Sequence, residues 1–452
     1  MSALVVEGCA VATVDNANAR YPDGHVVVTD GVITAVGPGP APRTPDATHV
    51  DGRGCLLTPG FVNTHHHLYQ WATRGFAANN TLFEWLTTLY PVWAGLDADI
   101  VRAAATAGLA RLAATGCTTT SDHHYVFPRD GGDVLDATVD AARSVGLRLT
   151  ATRGSMDVGQ SAGGLPPDNV VEDVDAVLKA TAEAVARYHD ASPGSMLRVA
   201  AAPCSPFSVS TRLLVEAAAQ ARELGVRLHT HLAETLDEET YCADRFGCTP
   251  VEHLDGLGWL GPDVWLAHCV HPGEAGVARL AATGTGVAHC PQSNARLGAG
   301  TAPVRAMLDA SVPVGLGVDG AASNEQGALV DELRQAVYVA RLSGGPTALA
   351  AHEALRLATA GGAAVLGRAD EIGALRVGLR GDLALWRVDG PLHADLDDPV
   401  VALVLGPTPP LELLTVEGRP VVERGQVLTV DVEQVGRALL AARRRLLARA
   451  PG

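Results

Sequence analysis

The chain has 452 residues, 47% of them hydrophobic and 19% charged, enough for one large domain with a small companion or for two to three domains. Its net charge of −16 argues against nucleic acid or an anionic membrane surface as a partner, since either would repel it, and reads as a solvated acidic surface. The single lysine, Lys179, sits in a helical amphipathic pattern and is expected at the surface, which counts against Schiff-base chemistry.

The first part alternates short β-prone runs with turn residues: "ALVVEGCAVATV", "GHVVVTDGVITAVG" and "THVDGRGCLLTPG". These predict strands and hairpins, with Asp30-Gly31 as a turn signal. No basic leader region precedes the first apolar run, Glu7 lies inside it, and no run approaches membrane-spanning length. The eight cysteines contain no C-x-x-C pair and read as reduced thiols. The expected location is the cytoplasm.

The middle changes rhythm. Apolar β-prone runs recur at "LLTPGFVNTH", "CTTTSDHH", "LRLTATRG", "LRVAAAPC", "VRLHTHLAE", "VWLAHCV", "TGVAHCP" and "VPVGLGVDG", separated by alanine- and leucine-rich helical stretches. Eight such alternations predict an α/β chain with a (β/α)8 TIM barrel over 59–370. A doubly wound sheet is the alternative, but no glycine-rich phosphate fingerprint follows the first strand. Strand grammar returns in "GDLALWRV" and "LLTVEGRPVVERGQVLTV". Residues 1–58 and 371–430 are therefore expected to form one small β-sandwich, with a C-terminal helix over 431–452.

Reactive residues fall where these strands end. His65 and His67 close the first run, His231 and Glu234 end or follow the fifth, His268 ends the sixth and Asp319 the eighth. Parallel barrel strands point their C-terminal ends at one face, so these residues would converge on a site suited to zinc or iron. Alternation puts His65 and His67 on one face and His66 on the other. Parity does not separate His229 from His231; the position of His231, nearer the mouth and three residues before Glu234, favours it as a ligand. Alone, His268 would read as a core histidine and Asp319 as a turn residue. Their joint placement argues otherwise. His123 and His124 are expected to line the pocket rather than hold metal, and His253, His271, His289 and His352 default to structure or surface.

The segments "PGFVNTHHHLYQ", "HTHLAET", "WLAHC", "HCPQSN" and "GLGVDGAASN" resemble the amidohydrolase superfamily, in its cytosine-deaminase-like branch of metal-dependent aminohydrolases. The resemblance spans nearly the whole chain. It implies His65, His67, His231 and Asp319 as ligands of one divalent ion per subunit, zinc first, with iron or manganese as alternatives. The absence of lysine after the fourth strand rules out a carboxylated-lysine bridge between two metals. Catalytic roles fall to Glu234, His268 and Asp319. The implied reaction is attack by a metal-activated hydroxide that deaminates an aminated purine. Segments such as "TRGSMD" and "APCSPFSVS" look most like those of enzymes taking 8-oxoguanine to urate and ammonia. A triazine, a pterin such as isoxanthopterin, or another aminopurine is the nearest alternative, and a silent binding barrel the distant one. Guanine deaminases are expected to carry an arginine where this chain reads Ala202-Pro203-Cys204-Ser205-Pro206-Phe207, which counts against plain guanine. Gln70 is the first candidate for reading a base edge, followed by Trp85, Tyr125, Cys204 and Ser205. The expected partner is a small nitrogen heterocycle, with neither nucleic acid nor membrane, in a homo-oligomer.

Overall fold

The computed structural model describes residues 3–450. Strands β1 (Ala3–Ala12), β2 (Arg20–Thr29), β3 (Val32–Pro38), β4 (Thr48–Asp51) and β5 (Cys55–Pro59) open the chain. The Asp30-Gly31 turn joins β2 to β3 with φ of 49° and 83°, the left-handed pair that a tight type I′ hairpin needs. The next strands are β6 (Phe61–Asn63), β7 (His66–His67), β8 (Cys117–His124), β9 (Arg148–Ser155), β10 (Leu197–Pro203) and β11 (Arg227–Leu232). After them come β12 (Val264–His268), β13 (Gly286–His289), β14 (Val314–Leu316) and β15 (Asp319–Gly320), then β16 (Leu383–Arg387), β17 (Leu411–Val416), β18 (Arg419–Glu423) and β19 (Gln426–Val427).

Eight parallel strands pair in the order β14-β13-β12-β11-β10-β9-β8-β6. Every residue of β8, β9, β12, β13 and β14 is buried, as expected of parallel strands covered on both faces. The two ends of this sheet meet: Thr64 N–H donates to Leu316 O at 2.9 Å, and Asp319 N–H donates to His65 O at 3.1 Å. The short parallel pair β7–β15 completes the seam, setting Asp319 opposite His66. Asn63 braces it, accepting from Val318 N–H at 2.9 Å and donating to Thr120 Oγ1 at 2.9 Å. This is the expected (β/α)8 barrel.

Both chain ends build a second, nine-stranded sheet, β19-β18-β17-β16-β5-β1-β2-β3, with β4 against β1. The apolar run "CLLTPGFV" is thus divided, β5 pairing with β1 and β16 while β6 enters the barrel. Trp386 of β16 stacks on Phe61 of β6, ring centroids 5.4 Å apart, and a Cβ on Gly116 would meet its indole at 2.4 Å. Gly116, at φ 90°, therefore answers two demands that only glycine meets, the left-handed turn before β8 and the indole's approach. The helix Val432–Arg449 follows, held by Arg445 to Asp97 at 2.8 Å. Lys179 lies exposed on the helix Val174–Tyr188, and all eight cysteines are free thiols. No helix among the described residues is long and apolar enough to cross a membrane.

Candidate metal centre

Parallel strands deliver His65, His67, His231, His268 and Asp319 to one end of the barrel, all of them buried. Oδ1 of Asp319 lies 3.3 Å from Nε2 of His65 and 3.2 Å from Nε2 of His67. Nε2 of His67 lies 3.1 Å from Nε2 of His231. Oε1 of Glu234 stands 3.6 Å from Nε2 of His268, which is itself 4.0 Å from Oδ2 of Asp319.

The other ring nitrogens explain which atoms face this centre. A carbonyl only accepts, so Nδ1 of His67 donates to His123 O at 2.6 Å and Nδ1 of His231 donates to Cys204 O at 2.7 Å. His229 donates from Nδ1 to Trp265 O at 2.8 Å, which leaves its Nε2 to accept Nδ1–H of His65, also at 2.8 Å. Burial, the leading cause, holds the His65 imidazole well below its ordinary range and pushes His231 down to about 3. Anchored this way through Nδ1, the rings of His65, His67 and His231 turn their Nε2 atoms into the same space as a carboxylate oxygen. His65 Nε2 has no hydrogen-bond partner. Three imidazole nitrogens and a carboxylate oxygen held together suit a divalent cation, and the bonds behind them are of the kind that fix the tautomer of metal-binding histidines. Among the described residues, two sets could hold a metal: His65, His67, His123 and His231, and His65, His268 and Asp319.

Two expectations are corrected here. His123 and His124 do not line the cavity. His123 stacks on His231 with centroids 4.7 Å apart and donates from Nε2 to Ala202 O at 3.1 Å, while Nε2 of His124 is bonded to Val126 O at 2.8 Å. Gln70 does not line the cavity either. It is fully buried, both amide atoms lack partners, and its side chain presses so closely on Gly320 that a Cβ there would meet Oε1 at 1.7 Å. The remaining four, Trp85, Tyr125, Cys204 and Ser205, do line it. Trp85 presents its ring only, because its N–H is committed to Ala322 O at 3.0 Å. The Ser205 hydroxyl is 2.7 Å from that of Ser208, and burial pushes the Cys204 thiol up to about 12.

The sequence reading missed several groups. Leu82, Leu86, Phe207 and Leu297 form the apolar walls, with Tyr90 and Ser323 among them. No arginine or lysine lines the cavity among the described residues. Glu238 bonds the backbone N–H groups of Ala233 and Glu234 at 3.0 and 2.9 Å, and Asn294 Oδ1 accepts Nδ1–H of His268 at 2.9 Å. The strings "HCPQSN" and "GLGVDGAASN" contain some of these residues, but nothing in their spacing reveals what they touch. Glu234 faces the metal-binding groups, and burial first, then the Asp319 charge, push its carboxyl up to about 8.

The amidohydrolase family profile matches residues 56–419. The chain is 43% identical to an 8-oxoguanine deaminase of Pseudomonas aeruginosa, over 96% of each chain. It is 39% identical to an isoxanthopterin deaminase of an unknown prokaryote, over 96% of this chain and 95% of the other. A solved structure of atrazine chlorohydrolase from Arthrobacter aurescens, complexed with zinc, superposes with a TM-score of 0.93 at 34% identity, covering 97% of this chain and all of the other.

Proposed function

The chain belongs to the amidohydrolase family and is a metal-dependent aminohydrolase, and from that premise we propose that it deaminates 8-oxoguanine. In that reading 8-oxoguanine and water give urate and ammonia, with one zinc ion per chain held by His65, His67, His231 and Asp319. Bound there, the ion supplies Lewis acidity that lowers the pKa of water from 15.7 to about 7.

The residues do the remainder. Asp319 accepts a proton from the attacking water. His268, with Nδ1–H given to Asn294, offers Nε2 to the same water and orients it. Glu234 carries a proton at neutral pH and delivers it to the ring nitrogen beside the attacked carbon, which localises the developing charge. Asp319 then passes the proton it took from water to the amine, which leaves as ammonia, while Glu234 takes up the remaining hydroxyl proton, so that both carboxyls return to their starting states. Trp85, Leu82, Leu86 and Phe207 exclude bulk water around these steps.

The observation that carries the reading is the convergence of Nε2 of His65, His67 and His231 with one Asp319 oxygen, beside Glu234 and His268, under an apolar cavity. The absence of an arginine or lysine from the cavity lining among the described residues favours an uncharged planar base over an anionic substrate. Its likeness to the Pseudomonas aeruginosa enzyme supports the choice of base. Ammonia release from metal-replete protein tests it, with 8-oxoguanine, guanine, isoxanthopterin and a triazine compared side by side. Turnover fastest on 8-oxoguanine is expected. An inert 8-oxoguanine beside a working pterin or triazine overturns the substrate and leaves the aminohydrolase chemistry standing.

A further inference from the structure

The two oxygens of Asp319 keep different company. Oδ1 faces His65 and His67, while Oδ2 accepts hydrogen bonds from Ser293 Oγ at 2.6 Å and from Ser323 Oγ at 3.0 Å. Both serines are buried, so each hydroxyl has forgone water for this contact. They arrive from separate segments: Ser293 lies on the short helix Pro291–Arg296 after β13, and Ser323 in the turn after β15.

A third group ties those segments together. Glu332, fully buried on the helix Leu329–Gly344, accepts the backbone N–H of Gln292 at 3.1 Å and Nδ2–H of Asn324 at 2.6 Å. Asn324 spends its second amide hydrogen on Val318 O at 2.8 Å. Each serine is thus one residue from an anchor of the same carboxyl. A group buried at that cost persists only where its hydrogen bonds are met, and here they pin the two loops that reach Asp319.

We propose that Ser293 and Ser323 are positioning residues for the metal: by engaging Oδ2 together they stop the carboxylate from turning, leave Oδ1 alone to face the cation, and set how tightly the ion is held. This rests on the reading of Asp319 as a ligand. Outer hydrogen bonds of this kind typically govern metal affinity by about 10- to 100-fold.

The test uses the full chain, stripped of metal and titrated with zinc against a chromophoric chelator, with urea unfolding of the metal-free protein alongside. Ser293→Ala and Ser323→Ala should each weaken zinc about tenfold, and the double variant about 100-fold. Ser293→Thr, which keeps the hydroxyl, should restore nearly wild-type affinity. A double variant that holds zinc within about twofold of wild type overturns the serine role alone. So does a Ser293→Thr protein no better than Ser293→Ala, since the loss would then follow packing rather than the hydroxyl. Wild-type protein that takes up no zinc overturns the ligand assignment and this proposal with it. Since no substrate enters the measurement, its outcome is independent of which heterocycle is turned over.

Discussion

Oε1 of Glu234 lies 3.6 Å from Nε2 of His268, and the carboxyl, pushed up to about 8 by burial and then by the Asp319 charge, carries its proton at neutral pH. In the unfolded chain the same group ionises near 4.5. Between those values the unfolded chain has released a proton that the folded one keeps, so stability falls as pH rises through the window and levels off above about 8. Glu234→Gln is neutral throughout and escapes this loss. The metal-free variant should gain stability over metal-free wild type from pH 5 to pH 8, on the order of 2–4 kcal/mol by the upper end, read by urea unfolding. Its turnover should fall about 10²–10⁴-fold. A stability gain that does not change with pH would mean the carboxyl is already ionised in the fold.

His229 acts on the centre from below. It accepts Nδ1–H of His65 and passes its own Nδ1–H to Trp265 O, a relay that fixes which nitrogen of His65 faces Asp319. His229→Leu removes the acceptor while keeping the ring's volume roughly filled. Metal affinity should drop about 10- to 100-fold, measured by chelator competition, with the barrel still folded by circular dichroism. Unchanged affinity would leave His65 without need of its relay.

Removing the metal should expose the cost of the naked cluster. In the proposed arrangement three imidazoles and a carboxylate, all buried, would lose their shared partner when the ion leaves. Zinc at about 100 times its dissociation constant should stabilise the fold by about 2.7 kcal/mol over the stripped protein. Thermal melting with and without chelator, followed by zinc add-back, reads this, and elemental analysis should return one ion per chain. Two ions per chain would contradict the single-site arrangement.

The barrel and the histidine pair were legible because both depend on period. Alternation separates His65 and His67 from His66, and both turn Nε2 toward Asp319 Oδ1, at 3.3 and 3.2 Å. Period could not rank His229 against His231, and the structure shows why both matter: one ring sits at the centre, the other backs His65. Period also could not distinguish a ring that lines a cavity from one stacked beside it, which is how His123 was misplaced. Gln70 follows the histidines in sequence, yet the 3-10 turn Leu68–Thr73 lays its side chain against Gly320 instead. Ser293, Ser323, Glu238 and Glu332 carry no periodic mark at all. Their partners lie on separate elements far along the chain or in the turns between them, and such side-chain hydrogen bonds are decided by convergence in space.

Ala233 gives the sharpest test of how the mouth is shaped. It is a buried alanine at φ 52°, where the chain leaves β11 and turns Glu234 toward the cavity. Its N–H is held by Glu238 at 3.0 Å and its carbonyl accepts His271 N–H at 2.9 Å, so the conformation is fixed from both sides. A left-handed L-residue costs about 1–2 kcal/mol, which glycine avoids while losing about 0.5–1 kcal/mol more backbone entropy on folding. Ala233→Gly should therefore stay within about 1 kcal/mol of wild type by urea unfolding and keep its turnover. Ala233→Val adds a branched side chain at a fully buried position where φ is positive, so it should lose several-fold more stability and re-aim Glu234. His268 and Asp319 share this left-handed backbone, at φ 72° and 59°, but their side chains are needed where they stand. If glycine at 233 proves as damaging as valine, the turn is held by packing of the alanine methyl and not by the backbone geometry that aims the acid.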